Sequence, residues 1–451
     1  MSSLLSAHAL TEAAASASRD SHVAIQFEHS FQYNPSLGAS RFRLPNGLRL
    51  VLMPDHRASV LAYQTWFKVG SRDEDPNATG MAHFLEHLMF KGTAKHPLGE
   101  LDREMERRGA QTNAATWVDW TFYTQTLAAT RDNLQTLIDF EADRMIGLQL
   151  DAKTFASELE VVKNERRMSV DNSPSGALSE AVYRTAYTVH PYRSPTIGSA
   201  AHLEAMQRER VEAFYKTFYA PNNAVVVAAG AIDVVETLTL LAQGYGKLEA
   251  QTLPVRAYPV EPRQIASRQF TRRDQVLTPI VVLAFHAPPQ LSPDFAALEI
   301  VSEVLAVGDN ARLYRRLVTD EGLASDVSAV LVPFADPGLY EVVVSGREEA
   351  DPEAIVAAVQ DELNKLAQGL TQSERQKAAN GLELSLYDGL KDAEGCAEPL
   401  GHYEANYGDY SLMFTALGRY EGKTAEDLAR VCREVFRVEN RTVGITLKAG
   451  E

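Results

Sequence analysis

His83 and His87 stand four residues apart, with Glu86 between them in the run His83-Phe84-Leu85-Glu86-His87. On a helix of 3.6 residues per turn, that spacing puts both imidazoles on one face, within reach of a single metal ion. Glu86, three residues after His83, borders the same face and can approach a water at that metal without ligating it. The order HxxEH inverts the HExxH pattern of zinc hydrolases, so the chemistry on offer is metal-assisted hydrolysis. A tetrahedral zinc held by two histidines still lacks one protein ligand, the fourth position being left for water.

The best further donors lie in ELEVVKNERR, which starts at Glu158 and falls on a predicted helix. Glu158 and Glu165 are seven apart, two helical turns, and share a face from which Glu160 points away. One of the pair can bind the ion while the other accepts an imidazole N–H and fixes the tautomer of a ligand.

These groups need a scaffold, and the hydropathy pattern supplies one. Residues 42–54 (FRLPNGLRLVLMP) read as two short strands around Pro45-Asn46-Gly47, a hairpin signal. Residues 60–69 are a further strand, and Gly80 then opens the helix that carries His83. Residues 98–108 read as helix, and 110–128, rich in Thr, Trp, Tyr and Phe, as strands. Helical patterns cover 131–148 and 152–169, and NAVVVAAGAI at 223–232 is a buried-strand run.

The same order then repeats. A strand at 275–287 is followed by an amphipathic helix at 295–307, in the place the metal helix holds earlier. Residues 323–344 are strand-rich, 352–367 helical, and 441–447 a last strand. The expected fold is therefore α+β: two homologous α+β halves from an internal duplication, each an antiparallel-rich sheet packed with helices. The predicted boundaries are a flexible N-terminal arm at 1–22, a metal-binding domain at 23–248, a three-proline linker at 249–263 and a C-terminal domain at 264–451. The second half has no HxxEH, so only the first can carry the chemistry.

Bulk properties narrow the function. A length of 451 residues exceeds one ordinary core, and 45% hydrophobic with 23% charged residues describes a soluble globular chain. A net charge of −16 argues against nucleic acid, which needs a basic face. No apolar run is long enough for a membrane span. The Ala/Ser-rich start lacks the basic and apolar stretches of an export signal, and cysteines are few. Those features lean the expectation towards the cytoplasm, with the periplasm as the alternative. Cys396 and Cys432 form no CxxC pattern, so neither holds the metal, and a single disulfide between them stays open.

With these residues in view, the chain resembles the pitrilysin/insulinase family of zinc peptidases, the inverzincins. RLPNGLRLVLMPD, GMAHFLEHLMFKGT, GAQTNAATWVDWTFYTQTL, ELEVVKNERR, HPYRSPTIGS and FYAPNNAVVVAAGAI follow in that order, so the likeness covers nearly everything after about residue 40. The resemblance implies one zinc per chain with His83, His87 and Glu165 as ligands, Glu86 as general base, and Glu158 supporting a ligand. The 78 residues from His87 to Glu165 (165 − 87) are of the family's kind. It further implies that Asn113, Ala114 and Thr116, in the NAxT stretch, lie on an exposed edge strand that binds substrate, since a peptide can add to such an edge.

Length and a single pair of halves are most similar to the mitochondrial processing peptidase branch, and imply half of a clam-shell chamber assembled from two chains. Many relatives carry an Arg and a Tyr in the second half that bind substrate and stabilise the oxyanion. Here those positions align with Val318 and Ser325, which cannot donate in the same way. Nearby Arg312, Tyr314 and Arg315 read better as helix-surface residues than as substitutes. The expectation is an endopeptidase subunit that acts on peptides or unfolded segments and pairs with a paralogous chain supplying Arg and Tyr. A homodimer is the alternative assembly, and a non-catalytic structural core subunit of the same fold the alternative function.

Overall fold

The computed structural model describes residues 6–34, 37–416 and 418–450. The chain forms two compact units, each built on one sheet. The first sheet contains β1 (Gln26–Asn34), β2 (Leu37–Arg43), β3 (Arg49–Pro54), β4 (Val60–Phe67), β5 (Gln111–Thr116), β6 (Thr121–Ala128) and β7 (Ala224–Gly230). The second contains β8 (Arg268–Asp274), β9 (Ile280–Ala287), β10 (Ala324–Leu331), β11 (Gly338–Gly346) and β12 (Arg441–Lys448).

Their strand orders are β1-β2-β3-β7-β4-β6-β5 and β10-β11-β9-β12-β8. Laid over each other, β5, β6, β4, β7 and β3 correspond one by one to β10, β11, β9, β12 and β8. The pairing directions match too. β3 runs parallel to β7 and β8 parallel to β12, while the other pairs within these five-strand sets are antiparallel. The chain is thus an α+β protein of two duplicated halves, the first sheet carrying the extra β1–β2 pair. The 42–54 hairpin is present: β2 pairs antiparallel with β3, and Gly47 takes φ 87°, a left-handed conformation that glycine adopts without strain. The strand β1, by contrast, has no counterpart in the sequence reading.

The N-terminal arm is a correction. Residues Ala7–Ser21 form a helix, α1, capped by the Ser6 side chain accepting from the Ala9 amide. Leu10, Ala13, Ala14 and Ala17, spaced as one helical face, are buried against the helix Val234–Tyr245. Residues 249–263 hold neither helix nor strand.

The division into units also departs from the expected boundaries. The first unit gathers Met1–Lys163, Thr196–Ala257 and Gly389–Ala416, the second Asn164–Pro195, Tyr258–Asp388 and Leu417–Glu451. Helix Pro174–Ala186 belongs to the second sheet because β12 opens a place for it: a Cβ on Gly444 would sit 2.9 Å from Leu178 and Val182. Helix Ala393–Tyr407 crosses instead to the first sheet, packing on β4 and β7. There a Cβ on Gly401 would lie 2.0 Å from the Trp66 indole nitrogen.

That crossing is locked electrostatically. Glu404 is 0% exposed and its two carboxylate oxygens take Arg49 at 2.8 Å and Arg41 at 3.1 Å. Removing one partner of such a buried cluster typically costs about 3–5 kcal/mol, because the remaining charges lose their counter-ion. Glu404→Gln should therefore lower the thermal transition of the first unit markedly, read by calorimetry, while Glu212→Gln, which removes an exposed surface pair with Lys216 in the same unit, should shift it far less.

Candidate functional site

After β4, Gly80 turns the chain with φ 98° into the helix α2, Met81–Leu88. Met81, Ala82, Phe84, Leu85 and Leu88 bury one face of α2 in the first core, which leaves His83, Glu86 and His87 half-buried on the other. The imidazole centroids of His83 and His87 are 4.8 Å apart. Helix Ala152–Arg166 is unbroken from end to end, and the unit division falls inside it. Its last turn carries Glu165, and ligand atoms of His83, His87 and Glu165 all lie within 4.8 Å of one another.

Two imidazoles and one carboxylate are the donors that zinc takes with a place left open for water. The residues therefore fit the ion that the spacing suggested. Among the described residues this is the one group of three or more His, Cys, Asp or Glu side chains so arranged.

Glu158, buried and two turns before Glu165, accepts from His87 Nδ1 at 3.1 Å through Oε1. With Nδ1–H so engaged, Nε2 keeps its lone pair for a metal. Lys91 Nζ binds the other Glu158 oxygen at 2.8 Å. The sequence reading passed over Lys91, although its place four residues after His87 was a usable signal. Glu160 faces away and pairs with Lys163 at 3.0 Å.

Asn113, Ala114 and Thr116 lie on β5, at the end of the sheet order and hydrogen-bonded on one side to β6. Asn113 is exposed, and Ala114 and Thr116 are half-buried. The Thr116 side chain does something the spacing did not show: its hydroxyl donates to Glu86 Oε2 at 2.6 Å. Beneath, Tyr123 and Tyr219 put their hydroxyls 3.3 Å apart. Burial pushes the Tyr123 hydroxyl well above its ordinary range, with Tyr219 and, in smaller part, Glu86 adding to the shift.

In the second half, Val318 packs against the second core and Ser325 donates to the Ser345 carbonyl at 3.2 Å. Arg312 holds Glu374 through two hydrogen bonds of 2.7 and 2.9 Å, which draws that carboxyl down to about 2. Arg315 sits 3.6 Å from Asp320 on the surface, and Tyr314 packs on the core. All three have structural occupations. Cys396 and Cys432 are both free and buried. No helix among the described residues is long and apolar enough to cross a membrane.

Comparison with known proteins bears on this geometry. The family described as Insulinase (Peptidase family M16) matches residues 49–200, and the one described as Peptidase M16 inactive domain matches 205–382. A zinc protease of Mycobacterium bovis, itself uncharacterised, is 31% identical over 413 residues, covering 89% of this chain and 91% of its own. The zinc protease PqqE of Helicobacter pylori is 29% identical, covering 87% of this chain and 89% of its own. A probable mitochondrial-processing peptidase subunit beta of Arabidopsis thaliana is 25% identical, covering 87% and 75%. The crystal structure of a protease from Helicobacter pylori superposes with a TM-score of 0.85 at 28% identity, over 91% of this chain and 99% of that one.

Proposed function

This chain belongs to the insulinase family, peptidase family M16, and from that membership we propose that it is the catalytic subunit of a zinc-dependent endopeptidase. The observation that carries the reading is the convergence of His83, His87 and Glu165 beside Glu86. The family description containing the word inactive applies to residues 205–382, a stretch that holds none of these side chains. A non-catalytic core subunit would have no use for the full donor set.

His83, His87 and Glu165 would hold the zinc, which when bound supplies Lewis acidity that brings water to its deprotonated form near neutral pH. The chain's own residues do the rest. Thr116 holds one oxygen of Glu86, leaving Oε1 to take a proton from the attacking water. As the scissile C–N bond breaks, the same carboxyl returns that proton to the leaving amine. Glu158, anchored by Lys91, keeps the His87 ring in the tautomer that can ligate. Strand β5, which carries Asn113, Ala114 and Thr116, offers the backbone groups of alternate residues on its outer edge to an extended peptide, so recognition tolerates many sequences.

The hydrogen bond from Thr116 to a charged oxygen is of the kind worth about 1.5–3 kcal/mol. Thr116→Val should lower kcat by about tenfold or more with zinc content unchanged, and Thr116→Ser should recover most of it.

Val318 and Ser325 leave the chain without the Arg/Tyr pair of its relatives. A missing oxyanion donor raises a barrier by about 3–4 kcal/mol, so we place the absent pair on a paralogous partner in a heterodimer. Peptide hydrolysis by the chain alone and after mixing with such a partner tests this. Strong stimulation is expected, and full activity of the isolated chain would contradict the two-chain assignment. For the compartment the reading is the cytoplasm, with the periplasm as the alternative.

A further inference from the structure

Glu74 lies outside the HxxEH motif, ligates nothing, and is buried. Its carboxylate reaches back to the start of α2: Oε2 accepts from the Gly80 amide at 2.8 Å and Oε1 from the Ala82 amide at 2.7 Å. These are among the first N–H groups of a helix, which have no partner within the helix, and a carboxylate also suits the positive end of its dipole. Burial pushes the Glu74 carboxyl up to about 8, against the pull of the helix amides, so an acid is an expensive choice at this position.

The same helix start is fixed from a second side. Gly80 and Gly198 cross so closely that a Cβ on Gly198 would stand 2.6 Å from the Gly80 Cα. Thr79 Oγ1 meets His202 Nδ1 at 2.8 Å and accepts from the Ser199 amide at 3.1 Å. The start of α2, a helix of eight residues, is therefore fixed from two sides, by the Glu74 carboxylate and by the Gly198–His202 segment.

What those contacts control is the point from which three side chains depart. His83 is one residue beyond Ala82, and Glu86 and His87 follow within the next turn. We propose that Glu74 is a positioning residue for the metal centre, setting through the first amides of α2 where His83, Glu86 and His87 stand relative to Glu165. This rests on the zinc-peptidase reading above. Partners that orient a ligand without touching the metal are commonly worth about 10–100-fold in metal affinity.

The test is zinc affinity of the full chain by chelator competition, for the unmodified protein, Glu74→Gln and Asp233→Ala. Asp233 caps the helix Val234–Tyr245, which carries no ligand, so its loss controls for a merely structural effect. Glu74→Gln should weaken zinc binding by about tenfold or more while Asp233→Ala leaves it unchanged. Equal affinity of Glu74→Gln and the unmodified chain would overturn the proposal, as would an equal fall in both variants. Should Glu74→Gln fail to fold, amide exchange on the unmodified chain decides. Linkage is reciprocal, so zinc must slow exchange at the Gly80 and Ala82 amides, and unchanged exchange there overturns the proposal. An unmodified chain that binds no zinc would instead refute the zinc-peptidase reading itself.

Discussion

His87→Ala should fold, contain no stoichiometric zinc and show no measurable peptide hydrolysis. His87 has two occupations, since its ring completes the donor group with His83 and Glu165 and its Nδ1 is tied to Glu158 at 3.1 Å. Alanine at this position leaves two protein donors, one fewer than a catalytic zinc site uses. It also leaves Glu158 with Lys91 alone, so the support on the helix Ala152–Arg166 loses its purpose. The side chain is half-buried at the edge of the core, and its loss opens no large cavity. Circular dichroism should match the unmodified chain, and elemental analysis should find zinc well below one per chain. A variant that kept one zinc would place the ion elsewhere.

The second large effect separates binding from chemistry. Glu86→Gln preserves size and the oxygen that accepts from Thr116, so the site should keep its zinc. An amide cannot take a proton from water or return it to an amine, and general acid–base catalysis of this kind contributes about 10²–10⁴-fold. The expected result is one zinc per chain with kcat lowered by about that factor. Turnover near the unmodified rate would show that another group is the base.

Part of the candidate centre was legible in helical arithmetic, which left Glu158 and Glu165 equal as donors; only the family resemblance chose Glu165. His83 with His87, and Glu158 with Glu165, each sit at spacings that fix a shared face whatever the tertiary context. The duplication was legible for a similar reason, as strand and helix periods recur in the same order in both halves. What escaped reading depends on residues distant in sequence. Thr116 meets Glu86 across 30 residues, by way of a strand whose place at the sheet end no local pattern encodes.

Helix α1 offers alanines and serines with little hydropathy contrast, and its buried face acquires meaning only against the helix Val234–Tyr245. The helix Ala393–Tyr407 carries Gly401 and Glu404, which look ordinary until Trp66, Arg41 and Arg49 are brought against them. Those contacts move residues 389–416 into the first unit, against the boundary that sequence order suggests.

The most direct test of the central claim is an anomalous difference map at the zinc edge from crystals of the zinc-loaded chain. The account predicts one peak per chain, about 2.0–2.2 Å from a nitrogen of His83, a nitrogen of His87 and a carboxylate oxygen of Glu165. A peak at any other set of side chains, or none, would contradict it.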